Sequence, residues 1–160
     1  MSIHPSADVH ASAVIEEGAQ IGEGCIIGPF AYIGADVQLG AHCVLMSHAV
    51  VKGQTNLGED NTIFSFAVIG EIPQDKKFGG EITRLEIGSR NRIREHVTVN
   101  TGTGGGGGLT KIGDDCLLMA GCHVAHDVII ANNVIVVNSA AVAGHCIIED
   151  DVIIGGLAGI

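Results

Sequence analysis

The sequence predicts an all-β fold of the parallel β-helix type, in which short strands wind around one hydrophobic core. Three observations lead to this prediction: an aliphatic residue recurs every six positions, a small residue follows each aliphatic one at a fixed distance, and aromatic residues are scarce. Aromatic side chains make up only 3% of the 160 residues, whereas 46% are hydrophobic. The core must therefore be built from small and branched aliphatic side chains, which favours a repetitive architecture.

The six-residue repeat runs without a miss from Ile3 to Ile69, and it resumes in two later blocks. Its aliphatic positions are Ile3, Val9, Ile15, Ile21, Ile27, Ile33, Leu39, Leu45, Val51, Leu57, Ile63, Ile69, Ile87, Ile93, Val99, Ile112, Leu118, Val124, Ile130, Val136, Val142, Ile148, Ile154 and Ile160. A strict period of six matches neither the 3.6-residue period of an α-helix nor the alternation of a simple strand. The repeat therefore predicts a chain that turns a corner every six residues.

Small residues lie four positions after the aliphatic ones, and every cysteine of the chain is among them. They include Cys25, Ala31, Val37, Cys43, Ala49, Cys116, Cys122, Val128, Val134, Ala140 and Cys146. Three faces then complete a triangular coil of about 18 residues, and successive coils stack as parallel strands about 4.8 Å apart. We interpret the cysteines as small buried apolar residues. Glycine often follows the aliphatic residue, as in Ile21-Gly22, and we expect it to supply corner backbone angles that a Cβ disfavours.

Two interruptions of the repeat predict loops that leave the coil, near residues 70–86 and 100–111. In the first, the inward positions would be Asp75 and Glu81, and a narrow apolar core cannot hold two carboxylates. In the second, the step from Val99 to Ile112 is one longer than two regular steps of the repeat, which predicts one added residue in a glycine-rich excursion. No strand-to-helix unit surrounds these glycines, so their spacing does not indicate a dinucleotide site. Loops on a rigid scaffold commonly carry binding residues.

Three histidines, His123, His126 and His145, lie close together in the sequence, and Asp127 follows the second. If one coil takes about 18 residues, Gly144 stacks on His126 at strand spacing. An imidazole can take a proton from a hydroxyl while an adjacent carboxylate orients it, and a glycine N–H can stabilise an oxyanion. Together these groups suit acyl transfer without a covalent intermediate. Surface histidines with no chemical role are an equally compatible alternative at this point.

The composition excludes several classes of function. The net charge is −10, with eight basic and 18 acidic residues, which leaves too few cations for a nucleic acid or an anionic membrane. The N-terminus has no secretory signal, and no apolar stretch reaches the roughly 18 residues of a membrane span. We therefore expect a cytoplasmic protein with reduced cysteines, no nucleic-acid partner and no stable membrane insertion.

Four segments carry a resemblance to a known family: GEIPQDKKFGGE, NRIREHVTVNTGT, GGGLTKIGDDCLLMAGCHVAHDV and AGHCIIEDDVIIGG. With the repeat, they resemble the acyl-carrier-protein:UDP-N-acetylglucosamine O-acyltransferases over the whole chain. That family transfers an R-3-hydroxyacyl group to the 3-hydroxyl of the sugar in the first step of lipid A biosynthesis. The resemblance implies a left-handed β-helix and a homotrimer with active sites between subunits. It also implies acyl carrier protein and UDP-N-acetylglucosamine as partners, with no cofactor or metal.

The resemblance further implies roles for individual residues of the histidine cluster. His126 matches the general base, Asp127 its orienting partner and Gly144 the oxyanion donor. His123 and His145 would line the site and contact substrate.

In the first loop, Gln74, Asp75 and Lys77 match positions that contact the sugar nucleotide, and the Lys77 ammonium is a suitable partner for phosphate. Asn100 departs from the family pattern because some members have histidine there. Family chains also continue through further coils and a helical segment. We therefore expect residues 1–160 to form a single β-helix domain that lacks these parts, with weak or no activity on its own.

Two alternatives compete with the acyltransferase interpretation. A trimeric zinc hydratase of the γ-carbonic anhydrase type would use His123, His126 and His145 as metal ligands across a subunit interface, although it has no use for a sugar-phosphate loop. A truncated trimeric module without turnover is the second alternative, since solenoids usually need a cap over their last coil.

Overall fold

The computed structural model describes residues 1–160, and its strands follow the six-residue repeat. Before the first loop they are β1 (Ser2–Ile3), β2 (Asp8–Val9), β3 (Val14–Ile15), β4 (Gln20–Ile21), β5 (Ile26–Ile27), β6 (Tyr32–Ile33), β7 (Gln38–Leu39), β8 (Val44–Leu45), β9 (Val50–Val51), β10 (Gln54–Leu57), β11 (Thr62–Ile63) and β12 (Val68–Glu71). Between the loops lie β13 (Arg84–Ile87), β14 (Arg92–Ile93) and β15 (Thr98–Asn100). The second loop contains a 3-10 turn, η1 (Gly104–Gly106). Beyond it follow β16 (Leu109–Ile112), β17 (Leu117–Leu118), β18 (His123–Val124), β19 (Ile129–Ile130), β20 (Ile135–Val136), β21 (Ala141–Val142), β22 (Ile147–Ile148) and β23 (Ile153–Ile154).

The strands form three parallel sheets, one for each face of the coil. The first runs β1-β4-β7-β10-β13-β16-β19-β22, the second β2-β5-β8-β11-β14-β17-β20-β23, and the third β3-β6-β9-β12-β15-β18-β21. Ser2 pairs with Gln20 and Gln20 with Gln38, so three repeats make one coil, as predicted. The predicted left-handed parallel β-helix is confirmed. The structure contains no helix that could span a lipid bilayer.

The core is a single column of aliphatic and small side chains along the axis of the coil. It contains 34 buried hydrophobic residues, among them Ile33, Ile63 and Ile93, none of which is exposed to solvent. Each such side chain contributes about 1.5–3 kcal/mol by its burial. Four of the five cysteines are buried as predicted, and Cys146 is partly exposed.

The corners differ from the sequence prediction in where the left-handed backbone conformation lies. It occurs three residues after the aliphatic position, for example at Asp127 (φ 59°) and His145 (φ 66°). Gly22, directly after an aliphatic residue, is not among the residues with positive φ. Instead, a Cβ on Gly22 would lie 2.6 Å from the carbonyl carbon of Gly40 in the next coil. The expected role of these glycines is therefore wrong, because they allow stacked corners to approach closely rather than supplying an unusual backbone angle.

Both predicted loops are present, and the structure gives their true lengths. Ile69 pairs with Val99, whereas a coil without a loop would pair it with the residue at position 87. The first loop therefore adds the length of two further repeats. Ile87 pairs with Ile112 instead of position 105, so the second loop adds the length of one repeat and a single further residue. The prediction of one added residue is wrong because Val99 and Ile112 lie on successive faces, where the regular step is one repeat.

The two loops and the histidine cluster lie along the same edge of the triangular prism. The first loop connects β12 to β13, the second connects β15 to β16, and His126 lies between β18 and β19. Each of these connections passes from the third sheet to the first, in consecutive coils. The next connection along this edge, from β21 to β22, contains Gly144. The fold thus gathers every candidate loop and corner on one edge.

Candidate active site

His126 and Asp127 form a hydrogen-bonded pair at the corner between β18 and β19. The Nδ1 atom of His126 lies 2.8 Å from Oδ2 of Asp127. The Asp127 side chain is 1% exposed and that of His126 is 16% exposed. Because an ionised carboxylate only accepts hydrogen bonds, Nδ1 carries the proton and Nε2 is left with a free lone pair.

The second loop supplies further hydrogen bonds to Asp127. The N–H of Thr103 donates to Oδ1 at 2.9 Å, and its hydroxyl donates to Oδ2 at 2.5 Å. The Asp127 N–H itself donates to Oγ1 of Thr110 at 2.8 Å. Burial acts to raise the pKa of Asp127, but the hydrogen bonds from Thr103 and His126 outweigh it and hold that pKa below its ordinary value. Asp127 is therefore ionised at neutral pH.

Gly144 stacks on His126 in the next coil, as the six-residue repeat predicts. A Cβ on Gly144 would lie 2.6 Å from Cε1 and 2.9 Å from Nε2 of His126. The N–H of the following His145 donates to the His126 carbonyl at 3.1 Å, whereas the Gly144 N–H donates to no backbone carbonyl. The Gly144 backbone therefore lies against the His126 ring, and its N–H is not used in the hydrogen bonds of the coil.

The other two predicted histidines differ in position. His145 stands edge-on to His126, with ring centroids 5.1 Å apart, and its side chain is 59% exposed. His123 lies on the outer face of the third sheet, where its Nδ1 is 2.7 Å from Oγ1 of Thr98. Burial lowers the pKa of His123, so its imidazole is neutral at neutral pH.

The donor atoms that converge within 4.8 Å of one another belong to His126, Asp127 and His145. Within one chain, His123 is not part of this group. In addition, Oδ2 of Asp127 already accepts hydrogen bonds from both Thr103 and His126. The arrangement fits a base and its carboxylate partner better than a metal centre.

A small recess of about 180 Å³ lies beside the cluster, between the two loops. Its lining consists of Asp75, Lys77, Glu81, Thr103, Gly105 and His145. The structure thus brings two of the three predicted residues of the first loop next to His145. Gln74 is exposed and does not line this recess.

The sequence pattern indicated no role for Thr103, and it marked Glu81 only as unfit for the core. The Glu81 carboxylate accepts hydrogen bonds from the N–H groups of Gly104 and Gly79, at 2.9 and 2.8 Å, and so ties the two loops together. The one indication in the sequence is that a threonine, a residue type that often caps a helical turn, stands directly before a run of glycines. Asn100, which departs from the family pattern, is 2% exposed, and its Oδ1 has no hydrogen-bond partner.

Comparison with known proteins agrees with this geometry. Residues 18–53 and 109–144 match the bacterial transferase hexapeptide family (six repeats). Over 98 residues the chain is 69% identical to the acyl-[acyl-carrier-protein]–UDP-N-acetylglucosamine O-acyltransferase of Paracoccus denitrificans, a match that covers 61% of this chain and 38% of that protein. The chain thus carries the hexapeptide repeats of this transferase family and is similar to one of the UDP-N-acetylglucosamine O-acyltransferases.

Solved acyltransferase structures share the fold over nearly the whole chain. The UDP-N-acetylglucosamine acyltransferase of Campylobacter jejuni has a TM-score of 0.91 and 41% identity, and the match covers 95% of this chain and 59% of that one. The LpxA protein of Acinetobacter baumannii has a TM-score of 0.72 and 48% identity, covering 98% of this chain and 58% of that one. The chain therefore spans less than two thirds of the length of these hexapeptide-repeat acyltransferases.

Proposed function

We propose that this acyltransferase moves an R-3-hydroxyacyl group from acyl carrier protein to the 3-hydroxyl of UDP-N-acetylglucosamine, the first step of lipid A biosynthesis. The observation that carries the proposal is the His126–Asp127 pair with the free N–H of Gly144 beside it. The names of the relatives, from Paracoccus denitrificans and Campylobacter jejuni, supply the substrate class.

The chemistry follows from the three groups. Nε2 of His126 takes the proton of the sugar 3-hydroxyl as its oxygen attacks the thioester carbonyl, and Asp127 stabilises the imidazolium that forms. The tetrahedral oxyanion accepts a hydrogen bond from the Gly144 N–H, a type of contact worth about 10²- to 10³-fold in rate. Collapse of the intermediate breaks the C–S bond, and the departing thiolate of the carrier takes the proton from His126. No covalent enzyme intermediate is needed.

The recess between the loops is the proposed place of the sugar nucleotide. The Asp75 carboxylate can accept hydrogen bonds from sugar hydroxyls, and the Lys77 ammonium can neutralise a phosphate. His145 lines the same recess. Gln74 and His123 would contact parts of the substrates that extend beyond it.

We further infer a cytoplasmic homotrimer with active sites between neighbouring subunits. Large apolar side chains are exposed on the outer faces of the coil, including Val14 (54%), Ile147 (75%) and Ile153 (67%). Ile147 pairs with Ile129 on the first sheet, and Ile153 pairs with Ile135 on the second, so the outer faces of the last coils carry neighbouring isoleucines. Adjacent exposed apolar side chains of this kind are typical of a surface that a partner covers. Analytical ultracentrifugation tests this inference: a species of three chains is expected, and a monomer at micromolar concentration would contradict it.

The test of the function is product formation. The 160-residue protein, and a longer form that supplies the remaining length of the Campylobacter jejuni relative, are incubated with R-3-hydroxyacyl-acyl carrier protein and UDP-N-acetylglucosamine. We expect O-acylated sugar nucleotide by mass spectrometry, with a weaker yield from the short form, and none from His126→Ala. Absence of product from both lengths, or equal product from the His126 variant, would overturn the proposal.

A further inference from the structure

The glycine-rich second loop packs its backbone directly against the carboxylate of Asp127. A Cβ added to Gly106 would collide with the Asp127 carboxyl group, and one added to Gly102 would lie 2.8 Å from Oδ1. A Cβ on Gly105, the immediate neighbour of Gly106, would meet nothing within 4 Å. The glycines are thus needed where the loop faces Asp127, and the run does not serve merely as a flexible connection.

Thr103 links the turn to the carboxylate. Its hydroxyl donates to Oδ2 of Asp127 and also accepts the Gly106 N–H at 3.2 Å, which caps η1. Its own N–H donates to the other carboxylate oxygen. Thr103 is 6% exposed, so these bonds are shielded from water. One residue therefore contacts both oxygens of Asp127 and holds the turn that closes over it.

We propose that Thr103, together with the glycine turn it caps, is the positioning residue that fixes the Asp127 carboxylate and, through it, the orientation and tautomer of His126. The kinetic part of this proposal rests on the proposed acyl transfer. Thr103 itself touches no reacting atom.

The geometry explains why the carboxylate needs this support. A backbone N–H cannot rotate away, so the Thr103 amide keeps Oδ1 in place and thereby aims Oδ2 at Nδ1 of His126. The hydroxyl adds a second donor to Oδ2, which limits rotation about the Cβ–Cγ bond. Displacing a catalytic group by about 1 Å can cost on the order of 10²-fold in rate. Without the hydroxyl, the Thr103 N–H is the single remaining hydrogen bond from the second loop to the Asp127 carboxylate, which must keep the His126 ring in its orientation.

The glycine turn is also anchored to the first loop. The N–H of Gly104 donates to the Glu81 carboxylate, which also accepts the N–H of Gly79 in its own loop. Glu81 and Thr103 both line the recess beside His145. The segment that fixes Asp127 is therefore held by the same loop that is proposed to bind the sugar nucleotide.

Four variants test the proposal in two matched pairs. Thr103→Val removes the hydroxyl at nearly constant volume, whereas Thr103→Ser retains it. Gly106→Ala forces a methyl group onto Asp127, whereas Gly155→Ala adds the same group at an exposed position where it meets nothing within 4 Å. We expect the first member of each pair to lower kcat about 10- to 100-fold, with KM for UDP-N-acetylglucosamine within about twofold. The second member of each pair should stay within about threefold of wild-type kcat, since the same principle applies only to a displaced group.

A second measurement does not depend on turnover. Long-range ¹H–¹⁵N spectra of the histidine rings report the tautomer of His126, assigned by comparison with His126→Gln. We expect a single Nδ1–H tautomer in the wild-type chain, in Thr103→Ser and in Gly155→Ala. Thr103→Val and Gly106→Ala should show a mixture of tautomers.

The outcomes separate this proposal from the proposed function. Absence of product from both the 160-residue chain and its longer form contradicts the acyl transfer, while the ring spectra still decide the role of Thr103. Wild-type kcat or an unmixed Nδ1–H tautomer in both Thr103→Val and Gly106→Ala would overturn the positioning role. If thermal melting shows that Thr103→Val does not fold, the comparison of Gly106→Ala with Gly155→Ala decides whether the turn positions Asp127.

Discussion

Replacing Asp127 by asparagine changes one oxygen to a nitrogen at nearly constant shape, and the surrounding contacts decide which oxygen is lost. The backbone N–H of Thr103 points at Oδ1 and cannot reverse, so the amide oxygen must take that place. The new NH₂ group then replaces Oδ2 and faces Nδ1 of His126, where it can only donate. Nδ1 must become an acceptor, so the proton moves to Nε2, the atom that should take the proton of the substrate.

The expected loss for Asp127→Asn is about 10⁴-fold in kcat, the magnitude seen when the same tautomer reversal is imposed on a serine protease triad. This corresponds to about 5 kcal/mol of transition-state stabilisation. The KM for UDP-N-acetylglucosamine should change little, because Asp127 is 1% exposed and cannot reach a substrate. Steady-state kinetics with mass-spectrometric detection of product would measure both parameters.

The matched control is Asp151→Asn, at an exposed corner position that has the same left-handed backbone (φ 62°). This variant should retain wild-type rates because asparagine tolerates that conformation. A kcat within tenfold of wild type for Asp127→Asn would show that the tautomer argument does not describe this site.

Three further predictions follow from the same structure. His126→Ala should abolish transfer with the oligomer intact by size-exclusion chromatography, whereas Cys122→Ala should retain kcat and lose about 1 kcal/mol of stability in urea unfolding; the reverse pattern would refute the assignment. Gly144→Ala should lower kcat by about tenfold or more because its methyl group meets the His126 ring, whereas Gly155→Ala, which meets nothing within 4 Å, should leave kcat unchanged. The lowered pKa of Asp127 in the folded state contributes stability that is present above its unfolded pKa of about 3.9 and lost as pH falls through the folded value. The melting temperature of the wild-type chain should therefore drop below about pH 4 more than that of Asp127→Asn, and parallel curves would contradict this.

The period of six was sufficient to predict the parallel sheets, the buried column and the stacking of Gly144 on His126, because all three depend only on the register of the coil. It could not predict the Thr103–Asp127 contact, since that contact joins residues across a loop of irregular length. The same limit explains the error in the length of the second loop, where Val99 and Ile112 were placed two faces apart. Glu81 was recognised as unfit for the core, but its bond to Gly104 depends on two loops that meet only in three dimensions.

The roles of the flanking glycines show a different limit. Gly22 was expected to provide an unusual backbone angle. The structure shows instead that the backbones of Gly22 and Gly40 lie too close together to leave room for a side chain. Spacing in a sequence indicates which residues stack but not how closely their backbones approach. Most of the left-handed corner positions are occupied by histidine, aspartate and other non-glycine residues, and only Gly18, Gly24 and Gly121 are glycines there, so composition alone did not mark them.

The placement of both loops on one edge has a consequence for how such a chain can change. Chain inserted where the third sheet passes to the first lengthens that edge alone, and the ladders on either side keep their pairing, as Ile87 with Ile112 and Ile69 with Val99 demonstrate. New binding segments can therefore be added coil by coil without any loss of core packing. The paired strands must therefore keep their lengths, whereas the connections along this one edge can vary.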